Sequence, residues 1–491
     1  MTTDNLKQQI DELAEAIRPE IVTAMQDILK FRTVSGADDA DGQKLYKDEI
    51  VRCMEFLKEK ADGIGLEWKN HNNEYAYAHL GGEQFVGLPL HIDVVPTGDG
   101  WSQDPFGGNI VDGVIYGRGC QDDKGPVIQM LYAVQILKQL GAPLKRGARL
   151  IIGTTEEFGE WTDIKDYLAT EAHPEFSIVS DAAFPIINGE KGIINLRLEG
   201  ALPDYEDELQ EGELRFKRAT SGDRPNIVPP KALLVFEGDA DADALHAELE
   251  RFLRAHDDAK AEFRENAQEK SILFFGKGAH GSTPEEGHNA ALDMLQFMAD
   301  SAFVTDDEAE MAEFLYETGS GLKGENLNLN SEHKQLGPTT VNLGIVNWQR
   351  SSVEVIYNIR NTVPVEEAVN RAQSVISEFA EETGFDLSAA PKSKSMNPIH
   401  VDETKHPEFI GALQEAYSVT TGRPATLHTI GGTTYAKMFP NAVCFGPVDL
   451  QDGELELAHQ ADERVSADHL LRNVKIYAYA LARLCADLPR A

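Results

Sequence analysis

The sequence holds a spaced set of imidazole and carboxylate side chains: His91-Ile92-Asp93, Asp122-Asp123, Glu156-Glu157, Asp181, and His459 within Ala458-His459-Gln460-Ala461-Asp462-Glu463. Imidazole nitrogens and carboxylate oxygens are the ligand types of zinc and other divalent first-row metals. A metal site also needs such short side chains to converge from separate elements. Alone, each cluster has an ordinary reading. A His-x-Asp pair is commonly a satisfied core or surface pair. Glu156-Glu157 suits a solvated helix start, and Asp122-Asp123 suits capping and dipole compensation at a helix N-terminus. Gly117-Arg118-Gly119-Cys120 resembles a glycine loop but lacks the spacing of a phosphate-binding motif. His459 alone could be an exposed histidine. The set gains meaning from where its members fall along the chain.

Three clusters follow directly on apolar runs. Phe85 to Leu90 ends at His91 and Asp93, Leu150 to Thr155 at Glu156 and Glu157, and Phe176 to Val179 at Ser180 and Asp181. Short apolar runs of this kind suit buried strands. Between the first two, Pro126 as a first-turn residue and Val127, Met130, Leu131, Val134 and Leu137 on one face predict a helix. Strands alternating with helices predict an α/β domain with a mainly parallel sheet, where ligands bind beyond the carboxyl ends of the strands. Pro89, lacking an N–H, predicts an edge or a bulge for its own strand. Upstream, Ile21, Met25, Ile28 and Leu29 share a helix face, and Leu45 to Lys60 continues helically.

From about Gly192 the pattern changes. Strands alternate, as in Ile193-Asn195-Arg197 and Ala232-Leu234-Phe236, between acidic helical stretches at Asp239 to Arg254 and Asp306 to Leu315. The acidic run Asp204 to Glu213 reads as a solvated loop. After Lys392 the α/β character returns, with a helix through Phe409, Leu413 and Tyr417, a strand at Ala442 to Phe445, and a last helix from Ala467. The economical architecture is one α/β domain, residues 1–191 and 389–491, interrupted by an inserted α+β domain, residues 192–388.

Charge narrows the partners. Lys and Arg number 45 against 82 Asp and Glu, a formal net charge of −37 over 491 residues. A chain this acidic repels polyanions, which argues against nucleic acid and against an anionic membrane surface. The cysteines Cys53, Cys120, Cys444 and Cys485 are far apart, with no CxxC spacing, so a disulfide framework is not expected and a reducing compartment fits. The first residues lack an apolar h-region, and no run of about 18 apolar residues occurs, so the expected location is the cytoplasm.

Taken together, the motifs resemble those of the co-catalytic metallopeptidase family that contains aminoacylase, ArgE, DapE and the carboxypeptidase G group. His91-Ile92-Asp93-Val94-Val95-Pro96, with Gly98 and Gly100-Trp101, is similar to its first signature. Gly117 to Gly125 is similar to the second, and Thr155-Glu156-Glu157 to the third. Asp181 followed by Phe184 to Gly192, and His459 to Glu463, resemble the PepV-type dipeptidase branch. The resemblance implies that Asp122 bridges two divalent metals, zinc above all, with manganese or cobalt as substitutes. It implies His91 and Asp181 on one metal and Glu157 and His459 on the other. Asp93 would hold the His91 imidazole in its ligating tautomer, and Glu156 would be the general base.

The inserted domain adds further likenesses. Gly278-Ala279-His280-Gly281-Ser282-Thr283-Pro284 matches the family's lid motif, which implies that His280 stabilises the oxyanion. Asn226, in Asn226-Ile227-Val228-Pro229, resembles a site-lining asparagine. Arg360 falls at the position of an arginine that clamps the substrate carboxylate. Gly432 and Thr433, in Gly431-Gly432-Thr433-Thr434, precede a helix-like stretch, so the backbone N–H groups there could bind the same carboxylate; the simpler reading is only a turn. The long insert resembles the dipeptidase branch, in which one chain completes its own site, so a monomer is expected. The implied activity is hydrolysis of dipeptides, with β-alanyl dipeptides among the candidates. The competing readings are an N-acyl-amino-acid deacylase, a tripeptidase, and a peptide-binding protein without catalysis.

Overall fold

A computed structural model describes residues 2–35, 45–203, 212–238, 242–265, 269–392 and 395–488. Most of the acidic run expected as a solvated loop, 204–211, lies outside them, as does the start of the helix expected from Asp239. The chain divides into two compact units: Met1–Gly189 with His400–Ala491, and Glu190–Ile399. The fold class is α/β with an inserted α+β unit.

In the first unit a mixed sheet is built around four adjacent parallel strands, in the order Gly147–Gly153, Phe85–His91, Phe176–Val179, Ala442–Cys444. All four are buried along their whole length, the burial that parallel strands covered on both faces require. Antiparallel strands extend the block: Tyr75–Leu80 and Glu67–His71 beyond Gly147–Gly153, and Ile186–Glu190 beyond Ala442–Cys444. The mainly parallel character therefore holds for the strands that end at the carboxylate and histidine clusters. The helices Thr3–Ile28, Lys124–Gln139, Pro407–Thr421 and Ala467–Cys485 share one hydrophobic core with this sheet.

Pro89 corrects one expectation. Its strand is neither an edge nor bulged; it lies between two partners, with Pro89 in register with Ile151. The ladder to Phe176–Val179 covers only Val86 and Gly87, so Pro89 lies past its end, where a missing N–H breaks no sheet bond.

The second unit is an eight-stranded sheet whose strand pairs are antiparallel, from Lys260–Glu265 at one edge to Asp386–Pro391 at the other. Ile194, Leu196 and Leu198 are buried while Asn195 and Arg197 are not, the alternation of a sheet with one packed face. Helices Ala242–Ala255, Ala290–Ala299, Asp306–Ser320 and Val365–Thr383 complete its core. The third of these starts on a reciprocal cap between Thr305 and Glu308.

Candidate metal centre

Strand direction explains why the clusters meet. His91 ends its strand, Glu156 and Glu157 follow Gly153, and Asp181 follows Val179, so all leave the carboxyl ends of neighbouring parallel strands. Asp122 arrives from the loop before the Lys124–Gln139 helix, and His459 from the loop before the strand Arg464–Ser466. The result is two groups that could each hold a cation and that share one residue. Ligand atoms of His91, Asp122 and Asp181 lie within 4.8 Å of one another, and so do those of Asp122, Glu157 and His459. The two oxygens of Asp122 face different imidazoles: Oδ1 is 3.0 Å from His91 Nε2, and Oδ2 is 3.1 Å from His459 Nε2. His459 Nε2 is also 3.3 Å from Glu157 Oε1.

These atoms are close but misaligned. His91 Nε2 and Glu157 Oε1 are buried without a hydrogen-bond partner. A buried polar atom left in that state costs about 1–3 kcal/mol. Donor atoms crowded within 4.8 Å of one another, two of them buried and unpaired, are what a cation requires, so the residues present fit a metal pair.

Electrostatics agree with a site built for positive charge. Burial opposes protonation of His91, yet the carboxylates of Asp122, Asp181 and Asp93 hold its pKa well above the ordinary value. Asp122 and Glu157 push that of His459 up to about 11. Burial would raise the Asp122 carboxyl, but the His459 and His91 imidazoles pull it below the usual carboxylate range. Burial and then the Asp122 charge push Asp181 up to about 7. Glu156, outside both groups, is raised well above the usual range by burial and by Asp181.

Neighbouring groups set the orientation of these side chains. The nearest partner of His91 Nδ1 is the backbone carbonyl of Asp93, at 2.9 Å, with the carboxylate at 3.4 Å. A carbonyl only accepts, so Nδ1 keeps its proton when the ring is neutral, and Nε2 is the nitrogen that gives up its proton to offer a lone pair to a cation. The Asp93 carboxylate instead accepts the N–H groups of Glu156, at 3.2 Å, and Glu157, at 3.0 Å. Asp123 does not cap the helix that follows it; its Oδ2 accepts the His91 N–H at 3.0 Å.

Several supports went unread in the sequence. Buried Asp163 accepts the N–H groups of Thr154, at 2.5 Å, and Thr155, at 2.8 Å, and the Tyr435 hydroxyl at 2.6 Å. Trp161 Nε1 donates to the Glu156 carbonyl at 2.9 Å. Gly153 permits this approach, since a Cβ there would fall 2.4 Å from the Tyr435 hydroxyl. Glu463 and Arg118 form a buried pair at 2.6 Å. Position in a quoted motif was the only signal for Glu463; Asp163 and Tyr435 had none.

Gly432 and Thr433 lie between the strand Leu427–Ile430 and a single 3₁₀ turn, Tyr435–Met438. That turn is followed by the strand Ala442–Cys444, so the stretch is a plain turn and no helix dipole acts there.

The second unit brings its own candidates together. Gly281 N–H donates to the Asn226 carbonyl at 2.8 Å, and Ile227 and His280 form an isolated bridge. Thr340, in register with Arg360, donates to the Ser282 carbonyl at 3.3 Å. Arg360 is buried, bonds Asn358 Oδ1 through Nε at 3.2 Å, and has its pKa lowered to about 10 by burial. Burial, and then Arg360, lower the pKa of His280, which makes the imidazole neutral at pH 7. Its Nδ1 is 2.6 Å from Ser282 Oγ and accepts the Ser282 N–H at 3.3 Å. The proton of the neutral ring therefore sits on Nε2, a donor.

A sheet whose parallel strands end in two fused carboxylate–imidazole groups, in a chain interrupted by an antiparallel unit, defines a two-domain metallohydrolase. The chain belongs to peptidase family M20/M25/M40, whose family model matches residues 87–483, so it is a metallopeptidase. It is 32% identical to a Bacillus subtilis protein named "Putative dipeptidase YtjP" over 470 residues, 95% of this chain and 97% of the relative. It is 30% identical to "Putative dipeptidase SH1171" of Staphylococcus haemolyticus, across 97% of this chain and 99% of the relative. Among solved structures it shares the fold of the di-peptidase Dug1p of Saccharomyces cerevisiae, with a TM-score of 0.58 and 13% identity over 99% of each chain. The aminoacylhistidine dipeptidase of Vibrio alginolyticus has a TM-score of 0.55 at 14% identity, over 94% of this chain and 96% of that one. Among the described residues no helix is long and apolar enough to cross a membrane.

Proposed function

We propose that this metallopeptidase is a dipeptidase that works with two divalent cations, zinc first, bridged by Asp122. The observation that carries the reading is Asp122 itself, whose oxygens face His91 and His459 separately while Glu156 stands beside Glu157 outside both groups. His91 and Asp181 would hold one cation, Glu157 and His459 the other; manganese or cobalt suits the same donors. Bound there, such cations polarise a carbonyl and make water a nucleophile near neutral pH.

The chain's own residues move the proton and orient the substrate. Glu156 takes a proton from the attacking water and returns it to the departing amine nitrogen, a role worth about 10²–10⁴-fold in rate. Asp93 serves by fixing the His91 tautomer through its carbonyl and the Glu156–Glu157 backbone through its carboxylate. His280 offers its Nε2–H to the developing oxyanion. Arg360 takes the substrate's terminal carboxylate in its planar fork, with Asn226, Gly432 and Thr433 as further substrate contacts.

A demand for that free carboxylate, together with relatives named as dipeptidases, supports dipeptides as the substrate class. The large insert supports a monomer, and buried cysteines outside any disulfide suit a reducing compartment such as the cytoplasm. A substrate panel with metal analysis tests the reading. Cleavage of dipeptides over tripeptides, dipeptide amides and N-acetyl amino acids, abolished by chelation and restored by zinc, supports it. Preferential cleavage of tripeptides or N-acetyl amino acids replaces the substrate class. Two bound metals with no turnover on any substrate would make the chain a binding protein.

A further inference from the structure

The loops that carry Asp122 and His459 are more than 300 residues apart in sequence yet are bonded to each other along their length. Glu463 is fully buried in the His459 loop. Its carboxylate accepts the N–H of Gly119 at 3.1 Å, of Gln121 at 2.7 Å and of Asp122 at 3.2 Å, and pairs with Arg118 Nη1 at 2.6 Å. Arg118 also donates to the Gln460 carbonyl at 3.2 Å and lies 5.3 Å from the centre of the Trp101 ring. Gln121 reaches back the other way. Its amide donates to the Leu455 carbonyl at 2.9 Å and the Arg464 carbonyl at 3.2 Å, and its oxygen accepts the Leu457 N–H at 2.8 Å. Gly117 N–H closes the set on the Glu463 carbonyl at 3.0 Å.

Among these residues only Asp122 belongs to the ligating groups, and it takes part through its backbone N–H. On the His91 side the loop is tied a second time, from the sheet, where the His91 N–H bonds Asp123 and Nδ1 bonds the Asp93 carbonyl. His459, by contrast, comes from a loop in which it and Asp462 adopt the left-handed backbone region, at φ 63° and 58°. A histidine so held takes its position from whatever anchors its loop: Glu463 and Gln121, together with Ser102, whose N–H and hydroxyl donate to Asp462 at 2.7 and 2.9 Å. Ligand geometry set by such outer partners commonly matters about 10–100-fold in metal affinity.

We propose that Glu463, with Arg118 and Gln121, is a positioning clamp that sets the separation of His459 from Asp122, and so selectively tunes the cation held by Asp122, Glu157 and His459. The inference rests on the two-cation reading of the site. Buried and bonded by four donors, the Glu463 carboxylate cannot be exchanged for an amide without turning an N–H toward an N–H. Glu463→Gln is therefore the sharpest perturbation. Gln121→Met, which keeps the bulk and removes three bonds into the His459 loop, is the second.

The experiment is stoichiometric zinc titration of the metal-free full chain against a competing chelator, with near-ultraviolet circular dichroism and metal-free Tm as checks on folding. The parent should take up two equivalents. In Glu463→Gln one equivalent should weaken by about 10–100-fold while the other stays within about threefold, and Gln121→Met should weaken the same equivalent. His459→Ala identifies which equivalent that is. Parent-like binding of both equivalents, or equal weakening of both, in a folded variant overturns the clamp and leaves the two-cation reading standing. If Glu463→Gln does not fold, the same outcomes are read from Gln121→Met. A parent that takes up fewer than two equivalents overturns the reading and the clamp together.

Discussion

Metal uptake by this site must expel protons, and the structure sets how many. In the metal-free protein at pH 7, His459, pushed up to about 11, carries a proton. So does His91, held well above its ordinary value by the surrounding carboxylates. Asp181, at about 7, is half protonated. All three must lose their protons to act as ligands, so filling both groups should release about 2.5 protons, and Glu157, also raised by burial, adds to the same sign. Combined affinity for the pair should then rise by roughly 300-fold per pH unit near pH 7. Isothermal titration of zinc at pH 7, in two weakly coordinating buffers of different ionisation enthalpy, measures the protons directly. The same shifts set stability. Folded pKa values above the unfolded ones contribute stability that is present below the unfolded values, about 6.5 for His459 and 3.9 for Asp181, and that is lost as pH rises through the folded ones. The metal-free protein should therefore be less stable at pH 8 than at pH 6, and zinc should raise Tm more at pH 8. Release of fewer than about one proton for the full pair, or affinity that does not change between pH 6 and pH 8, would refute the reasoning.

Other perturbations separate the roles of single groups. Glu156→Gln should lower kcat by about 10²–10⁴-fold while both metal equivalents remain bound by elemental analysis; near-parental turnover removes the base assignment. Ser282→Ala strips His280 Nδ1 of its 2.6 Å partner and should lower kcat about 3–10-fold with little change in KM, the worth of one hydrogen bond. An unchanged kcat would mean that the Nε2–H tautomer is not set there. Mixing inactive His280→Ala with inactive Glu156→Ala should restore nothing in a monomer, whereas recovered activity after subunit exchange would show that two chains share a site.

Much of the fold was legible because its signals are local. Strands buried on both faces must be apolar throughout, so the runs ending at His91, Thr155 and Val179 announced both the parallel block and the edge where the ligands gather. Alternation through Ile193, Asn195 and Arg197 announced a sheet of the other kind, where the strand Ile194–Ala201 lies. What stayed hidden depends on distant or backbone partners. Pro89 read as an edge or a bulge because no local rule tells where a ladder to a neighbouring strand will end. The Gly431 to Thr434 stretch allowed a helix entrance or a plain turn, and the single 3₁₀ turn that follows it bears out the turn. Asp93 suggested a carboxylate on the imidazole, whereas the carbonyl of the same residue is closer and the carboxylate serves Glu156 and Glu157. Asp163 and Glu463 bond mainly to backbone N–H groups, which carry no side-chain signature, and the partners of Glu463 lie more than 300 residues away.

The central claim is that Asp122 bridges two cations held on either side by His91 with Asp181 and by Glu157 with His459. A crystal structure of the zinc-loaded protein, with anomalous data collected on both sides of the zinc edge, tests it most directly. The account predicts two zinc peaks, one against each oxygen of Asp122, with Glu156 bound to neither. A single peak, or two peaks that do not share Asp122, would contradict it.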